Sequence, residues 1–570
     1  MSKIVSSSFF KRQKERDVGL CRCEVPSNRG MSKTGCQLDK GRISFNMAVA
    51  VSTGSISGMR PVIAVIEASF VRGFAGLKLL GNTSEVLRDG KERAKAALEM
   101  LGLHLPPQTM LLNVSPADVR SDGSQFDLAF GVAMAALLVE RPLQVDPRRY
   151  LFCAELGITG ELRPVKGIVS FAVLAMDQGF DGIVIAAANT IEIAALGRAM
   201  HARTGSFRVV SAAQLRDVVG WLAGEHSNVT MQDLSGNAGE PSATVIPNVA
   251  RFDDMYLPDV LEDVALCHAV GGHSMLLRGP PGTGKSMFAR RLASIWPPLD
   301  PETHIEAMKV HSAYAQKLEP ALLQGYCPQR APHHQASANA ILGTADRPGE
   351  VALAHGGILF LDEFSEFRRD LLEALREPLE AKEITVARAQ NRMTWPARFV
   401  LVAASNNCQC GYLGSKRRKC RCSMAQIAAY AARFSGPIIE RIDMHVDMDE
   451  DSIPTADVFD HITDQGVAGV TERLSARVAR AREFIADRQR RLGCGNMSNA
   501  ELSLQSLIDP ENLTPEGLTW IEKSGHGQSS VRAAIRLLRL GRTLADLDGV
   551  DKVGPLQLAR AVIWRESPSH

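Results

Sequence analysis

The sequence is poor in aromatic residues: Phe, Tyr and Trp together make up 5% of 570 residues. That leaves little for stacking of exposed bases on aromatic faces. A charge excess is also missing. Lys and Arg number 65 against 63 Asp and Glu, a net charge of +2, so affinity for a polyanion has to come from local patches rather than global basicity. No apolar run reaches the length of a membrane span. The longest candidate, residues 128–139, is about half of what a bilayer needs and reads as a buried helix. The amino-terminal stretch carries Lys and Arg with no apolar segment behind them, which argues against a secretory signal and for a cytoplasmic protein. Eleven cysteines in a reducing compartment do not suggest a disulfide framework, and their clustering points to metal instead.

What is present is an ordinary soluble composition, 45% hydrophobic and 22% charged. The length implies roughly three or four domains. Residues 1–46 are rich in Ser, Lys and Arg and lack periodicity, so they are expected to be disordered or to precede a true start at Met47. Their Cys21 and Cys23 have no second pair at a spacing that suits a metal. Residues 47–224 alternate short β-rich runs with helical patterns: strands over 62–70 and 109–114, helices over 91–101 and 126–138. Residues 225–248 are small, polar and broken by Gly and Pro, and read as a linker. An α/β core over 249–450 and a helical domain over 451–570 follow, the latter with helices at 471–492, 530–546 and 555–564.

The chain is organised around GPPGTGKS, residues 279–286, with an apolar strand before it and a helical pattern after it. Gly279, Pro280, Pro281, Gly282, Thr283 and Gly284 form a loop whose backbone N–H groups can close around a phosphate. Lys285 supplies charge to the β and γ oxygens, and Ser286 offers a hydroxyl to Mg²⁺. Downstream, GGILFLDE (356–363) is a buried-strand pattern ending in two carboxylates, with Asp362 suited to Mg²⁺ and Glu363 to polarising the attacking water. The strand predicted over 399–404 ends in Asn406 and Asn407, of which Asn406 is the first candidate for a γ-phosphate sensor and Asn407 the second. Between loop and carboxylates lies RAPHHQAS (330–337), read either as a loop facing a partner or substrate or as a structural turn.

Cys408, Cys410, Cys420 and Cys422 form two close pairs that can surround one Zn²⁺, and Lys416, Arg417, Arg418 and Lys419 between them offer a contact for a phosphate backbone. After a helix expected over 369–379, a hairpin over 383–388 and 392–397 is a second candidate for that contact. An arginine in RFSGPIIERID (433–443) could reach a neighbouring subunit's nucleotide, and Arg532 stands where a helical lid would reach back to its own.

Two resemblances follow from these residues. Residues 157–185, GITGELRPVKGIVSFAVLAMDQGFDGIVI, look like the segment that carries the catalytic lysine of Lon-type proteases. Phe171 stands where that lysine is expected and Ser124 is one place away from the nucleophile's position, so a proteolytically inactive Lon-like α/β domain is expected. GPPGTGKS, RAPHHQAS, GGILFLDE, the CQCG and CRC cysteines, RFSGPIIERID and SVRAAIRLLRLGRTLADL together resemble the magnesium-chelatase-like AAA+ ATPases, and among them the ComM (YifB) family. The resemblance implies a Lon-like amino-terminal domain, an AAA+ P-loop core with a parallel sheet, and a helical carboxy-terminal lid. It implies Asn406 as sensor one, Arg441 as the arginine finger and Arg532 as sensor two, with ATP and Mg²⁺ as cofactors. Asn407 departs from the Pro usual in the family. The activity implied is that of a hexameric ring helicase that drives branch migration on single-stranded or branched DNA during natural transformation, with recombination proteins as further partners. A metal-inserting chelatase subunit is the first alternative, and an ATP-dependent protease is disfavoured by Phe171.

Overall fold

The computed structural model describes residues 48–81, 84–116, 123–139, 141–200, 206–234, 249–315, 317–388, 391–434, 436–449, 469–492, 497–524 and 531–565. The head at 1–46 and most of the expected linker lie outside them.

Alternating burial builds the first sheet. Val49–Ser57 and Arg60–Val71 pair antiparallel through a two-residue turn in which Gly58 takes a φ of 61°, a conformation that favours glycine. Eight strands line up as Thr230–Asp233, Arg208–Ala212, Gly182–Ala186, Tyr150–Cys153, Val49–Ser57, Arg60–Val71, Thr109–Ser115 and Gly76–Leu80. Tyr150–Cys153 shows how both faces are covered. Tyr150 and Phe152 face the core formed with helices Glu85–Met100 and Asp127–Leu138, and Leu151 and Cys153 face helices Ile168–Asp177 and Thr190–Ala199. The second of these cores continues into Ala307, Met308, Leu318 and Leu322, so the sheet is joined to the next part of the chain by shared apolar burial.

That next part is a five-stranded parallel sheet ordered Gln329–Arg330, Ile358–Leu361, Val400–Ser405, Met275–Arg278 and Met444–Asp447. All four residues of Ile358–Leu361 are buried, as a parallel strand covered on both faces requires. Met275 and Leu277 face a core that includes Leu474, Leu537, Leu540 and Leu558 of the carboxy-terminal helices. Leu276 faces the opposite core, with Trp395 and Phe364. Those helices are Val470–Leu492, Pro515–Lys523, Val531–Asp548 and Pro555–Ile563, with a short turn at Leu504–Leu507. The hairpin Glu383–Arg388 with Asn391–Pro396 is rooted by Trp395, fully buried with its indole N–H donating to the Thr344 carbonyl at 2.9 Å.

Two expectations need correction. The linker does not begin at 225: Thr230–Asp233 adds to the first sheet antiparallel to Arg208–Ala212. All four of its residues are exposed, so its pairing is made by the backbone and leaves no apolar alternation to read. The helix expected over 369–379 divides at Leu375 into Arg369–Ala374 and Arg376–Ala381. Pro378 has no N–H to return to residue 374, which breaks the ladder there.

One carboxylate sits where the two sheets' layers meet. Glu192, on helix Thr190–Ala199, is 3% exposed, and among the described residues neither of its oxygens has a well-formed hydrogen bond, the backbone of Leu318 giving only a contact that partly opposes the effect of burial. Burial pushes it from its ordinary 4.5 to about 8. The folded chain therefore keeps a proton that the unfolded chain has released, and stability falls as pH rises from about 4.5 through about 8. Glu192→Gln should flatten the pH dependence of the urea midpoint across that window and raise the midpoint at its alkaline end.

Candidate nucleotide site and metal centre

The parallel register brings the predicted residues to one edge of the second sheet. Arg278 lies opposite Ser405 and Leu361 opposite Ala403, so Gly279, Asp362, Glu363 and Asn406 all follow directly from the carboxyl ends of neighbouring strands. Ligands of open α/β sheets bind at such ends. Gly279 has a φ of 153°, and a Cβ there would lie 2.2 Å from the Met448 carbonyl oxygen, so no larger residue fits. Gly282 and Gly284 have φ of 87° and 80°, which completes a loop that turns into helix Lys285–Arg291. Ser286 is in the first turn of that helix, beside its unpaired amides.

Lys285 is buried, and its ammonium donates to the carbonyls of Gly279 at 2.8 Å and Pro280 at 2.7 Å. Thr283 donates its hydroxyl to the same Pro280 carbonyl at 3.0 Å. Burial lowers the lysine to about 8, opposed by the negative charge of Asp362. A phosphate oxygen carries full charge and is a stronger acceptor than either carbonyl, so the geometry suits an anion drawn into the loop. On the adjoining strands, Asp362 Oδ1 accepts from the Glu363 amide at 3.0 Å, and Glu363 takes a left-handed φ of 50°, uncommon outside glycine. Asn406 is half-buried at its strand end. Asn407 is engaged differently, its amide nitrogen donating to the Leu413 carbonyl at 3.2 Å, so the second sensor candidate ties down the cysteine loop.

That loop places the Sγ atoms of Cys408, Cys410, Cys420 and Cys422 within 4.8 Å of one another. Cys408 and Cys410 are 3.4 Å apart, Cys408 and Cys420 3.7 Å, Cys410 and Cys420 3.6 Å. Four thiolates about 2.3 Å from a tetrahedral Zn²⁺ sit roughly 3.8 Å from each other, so the set fits that ion. The Arg421 and Tyr412 amides facing Cys410 bring its thiol down to about 6. Against a lowering contact from the Cys422 amide, burial and the neighbouring thiols push Cys420 up to about 12. Thiols this close cannot all ionise without a cation among them. The lobe also abuts the phosphate loop: Gly411, with a φ of 86°, has room for a Cβ only 3.2 Å from Pro281.

Lys416, Arg417, Arg418 and Lys419 are all exposed on this lobe. Arg418 is folded onto Tyr412, its guanidinium 4.3 Å from the ring centroid and 2.9 Å from the hydroxyl. Arg441 lies elsewhere. It precedes strand Met444–Asp447, which runs parallel to Met275–Arg278, so it sits at the amino-terminal edge, a strand's length from the phosphate loop of its own chain. Its guanidinium is bonded to Glu380 at 2.5 Å and borders a groove of about 560 Å³ beside the hairpin. Arg532 is exposed in the first turn of Val531–Asp548. Ser124, considered above as a nucleophile, donates to the Glu155 carboxylate, and Phe171 is fully buried with its ring against Gly54. A residue missed by sequence reasoning is His334, whose Nδ1 is 2.8 Å from Glu363; the doubled histidine was visible in the sequence, its partner was not.

The cysteine geometry yields a test. Purified protein should carry one Zn²⁺ per chain by elemental analysis, and Cys410→Ser should bring that to well below half. A wild-type protein free of zinc after reconstitution would count against the site.

Three stretches match sequence families: residues 260–455 match "Magnesium chelatase, subunit ChlI", 66–189 match "Subunit ChlI of Mg-chelatase", and 469–565 match "Magnesium chelatase, subunit ChlI C-terminal". The uncharacterised protein YifB of Salmonella typhimurium is 32% identical over 519 residues, 90% of this chain and 96% of that protein. Competence protein ComM of Haemophilus influenzae is 31% identical over 536 residues, 91% of this chain and 98% of that one. Magnesium-chelatase subunit ChlI of Cyanophora paradoxa is 30% identical over only 160 residues, 24% of this chain and 46% of its own. Identity at this level along nearly the whole of YifB and ComM, with the phosphate loop, acidic strand end and cysteine lobe assembled as described, means that the chain belongs to the ComM and YifB family of magnesium-chelatase-like AAA+ proteins.

Proposed function

We propose that the protein is an ATP-hydrolysing ring motor that moves along DNA in the cytoplasm, driving branch migration so that incoming DNA is integrated by homologous recombination. The observation that carries the reading is the convergence of residues 279–286, Asp362, Glu363 and Asn406 at one sheet edge, with Arg441 at the opposite edge. In this reading Gly279–Ser286 cradles the phosphates and Ser286 and Asp362 hold Mg²⁺. Mg²⁺ neutralises charge on the β- and γ-phosphates when bound. Glu363 accepts a proton from the attacking water and Asn406 orients that water against the γ-phosphate. An arginine too far from its own nucleotide can serve a neighbour's, so Arg441 acts across a seam between copies, in a ring taken to be a hexamer. Arg532 reaches the nucleotide from the carboxy-terminal lid.

The DNA part is supported by the competence name of one relative, the hairpin, and the cations at 416–419 on the four-cysteine lobe. The amino-terminal sheet is taken as a Lon-type domain without proteolytic activity, because a buried phenylalanine fills the place of the lysine. A chelatase-type subunit working through partner proteins is the alternative, favoured by the three matching families.

Phosphate release measured with Mg-ATP, with and without single-stranded and branched DNA, separates these readings. Stimulation by DNA is expected, and turnover that responds only to a tetrapyrrole-binding partner would favour the alternative. Glu363→Gln should lower kcat by roughly 10²-fold or more while nucleotide still binds, and Lys285→Ala should abolish binding. DNA affinity should fall steeply with salt, and less steeply once Lys416, Arg417 and Lys419 are replaced by Ala. A salt-insensitive complex would count against phosphate contacts.

A further inference from the structure

Ser274 stands immediately before strand Met275–Arg278 and is buried, with 8% of its surface exposed. A buried hydroxyl needs partners, and those of Ser274 all belong to one segment. Its Oγ accepts from the Asp443 amide at 3.0 Å, and its single hydrogen lies between the Arg441 carbonyl at 3.2 Å and Asp443 Oδ2 at 3.1 Å. The Ser274 amide donates to the same Oδ2 at 3.1 Å. The Ser274 carbonyl accepts from the amides of Asp443 at 3.2 Å and Met444 at 3.0 Å. Hydroxyl, amide and carbonyl are thus all turned to residues 441–444.

That segment presents Arg441. Ile438 and Ile442 are fully buried on either side of it, and the Arg441 amide donates to the Ile438 carbonyl at 2.9 Å, which closes a turn. Arg565, beyond the last helix, donates to the carbonyls of Ile442 at 3.0 Å and Asp443 at 3.2 Å. The Ser274 hydroxyl reaches one residue further back, to the carbonyl of Arg441 itself. Met275 lies opposite Met444 in the parallel register, so residue 274 is level with residue 443, and the same short strand ends at Arg278, where the phosphate loop begins.

We infer that Ser274 is a positioning residue for Arg441: its hydroxyl fixes the backbone from which the guanidinium reaches the nucleotide of a neighbouring copy. A guanidinium stands at the end of a long side chain, so a slight tilt of the backbone at 441 is magnified at its tip. Misplacing a charged group by about 1 Å can cost roughly 10²-fold in rate. The inference rests on the reading of Arg441 as acting across a seam. It also separates two parts of Ser274. Alanine there removes the hydroxyl's contacts but keeps the backbone bonds to Asp443 and Met444, so strand pairing and the phosphate loop of the same chain are left in place.

Steady-state phosphate release by the full chain with Mg-ATP, beside calorimetric binding of ADP, tests it. Ser274→Ala should lower kcat roughly ten- to hundredfold, with KM and ADP affinity changed by less than about twofold. Ser274→Thr, which keeps a hydroxyl, should return most of the way to wild type. Added to Arg441→Ala, Ser274→Ala should reduce the residual turnover no further, because the two act as one unit. An unchanged kcat in Ser274→Ala, a loss of ADP affinity as large as the loss of kcat, no recovery in Ser274→Thr, or a further loss on top of Arg441→Ala would each overturn the positioning role. If Arg441→Ala alone keeps wild-type turnover, the reading of Arg441 fails first. If Arg441→Ala is impaired and Ser274→Ala behaves as wild type, only the role of Ser274 fails.

Discussion

The parallel register of five short strands is the constraint on which the site depends. Parallel strands release their chains at the same edge, so four segments far apart in sequence meet there: the phosphate loop after Arg278, the acidic pair after Leu361, Asn406 after Ser405 and His334 in the turn after Arg330. Each strand is only a few residues long, and what keeps them in register is apolar burial on both faces. A slip of one residue would exchange Leu276 with Met275 and Leu277 between the two cores and carry Lys285 and Asp362 out of line.

The same register brings polar groups into places where they need partners. Asp443, at the start of the strand Met444–Asp447, accepts from the amide and hydroxyl of Ser274, both at 3.1 Å. Burial alone would raise its pKa, yet His273 at 3.6 Å and Arg536 at 3.7 Å hold it at about 2. Arg536 belongs to Val531–Asp548, so this one carboxylate pins the helical domain to the opening of the strand that enters the phosphate loop. A buried charge with every partner in place specifies one docking geometry, whereas the apolar contacts around it would tolerate several. Glu192 illustrates the opposite case, a buried carboxylate with no charged or well-formed hydrogen-bond partner among the described residues, where burial favours the neutral form instead.

The four-cysteine lobe is tied to the loop at 279–286 and to the segments beside it. Asn407 holds Leu413, and Gly411 leaves space for Pro281. Ser405 and Ser365 both meet the Tyr430 hydroxyl, at 3.3 and 2.7 Å, joining the helix after the lobe to the segment after the acidic pair. The order of the four thiols therefore bears on the shape of the loop at 279–286, even though the two are over a hundred residues apart in the chain.

The phosphate loop was legible in the sequence because its geometry is local: positive φ at Gly279, Gly282 and Gly284 demands glycine wherever the chain goes next. The buried strand ending in Asp362 and Glu363 and the two cysteine pairs were legible for the same reason, since four apolar residues in a row and thiols two apart express their chemistry over a few residues. The edge strand Thr230–Asp233 was not, because exposed backbone pairing imposes no side-chain pattern, and the break at Leu375 was hidden by a helical pattern that continues across it. By itself, then, the sequence determined which chemical groups the protein has and the short backbone shapes that present them. Only the tertiary structure decided which of them meet: that His334 faces Glu363, that Arg441 stands at the edge opposite its own phosphate loop, and that Asn407 donates to the Leu413 carbonyl in the lobe. Those meetings are set by strand order and register, which depend on contacts between residues tens to hundreds of positions apart and so leave no mark in any single stretch of sequence.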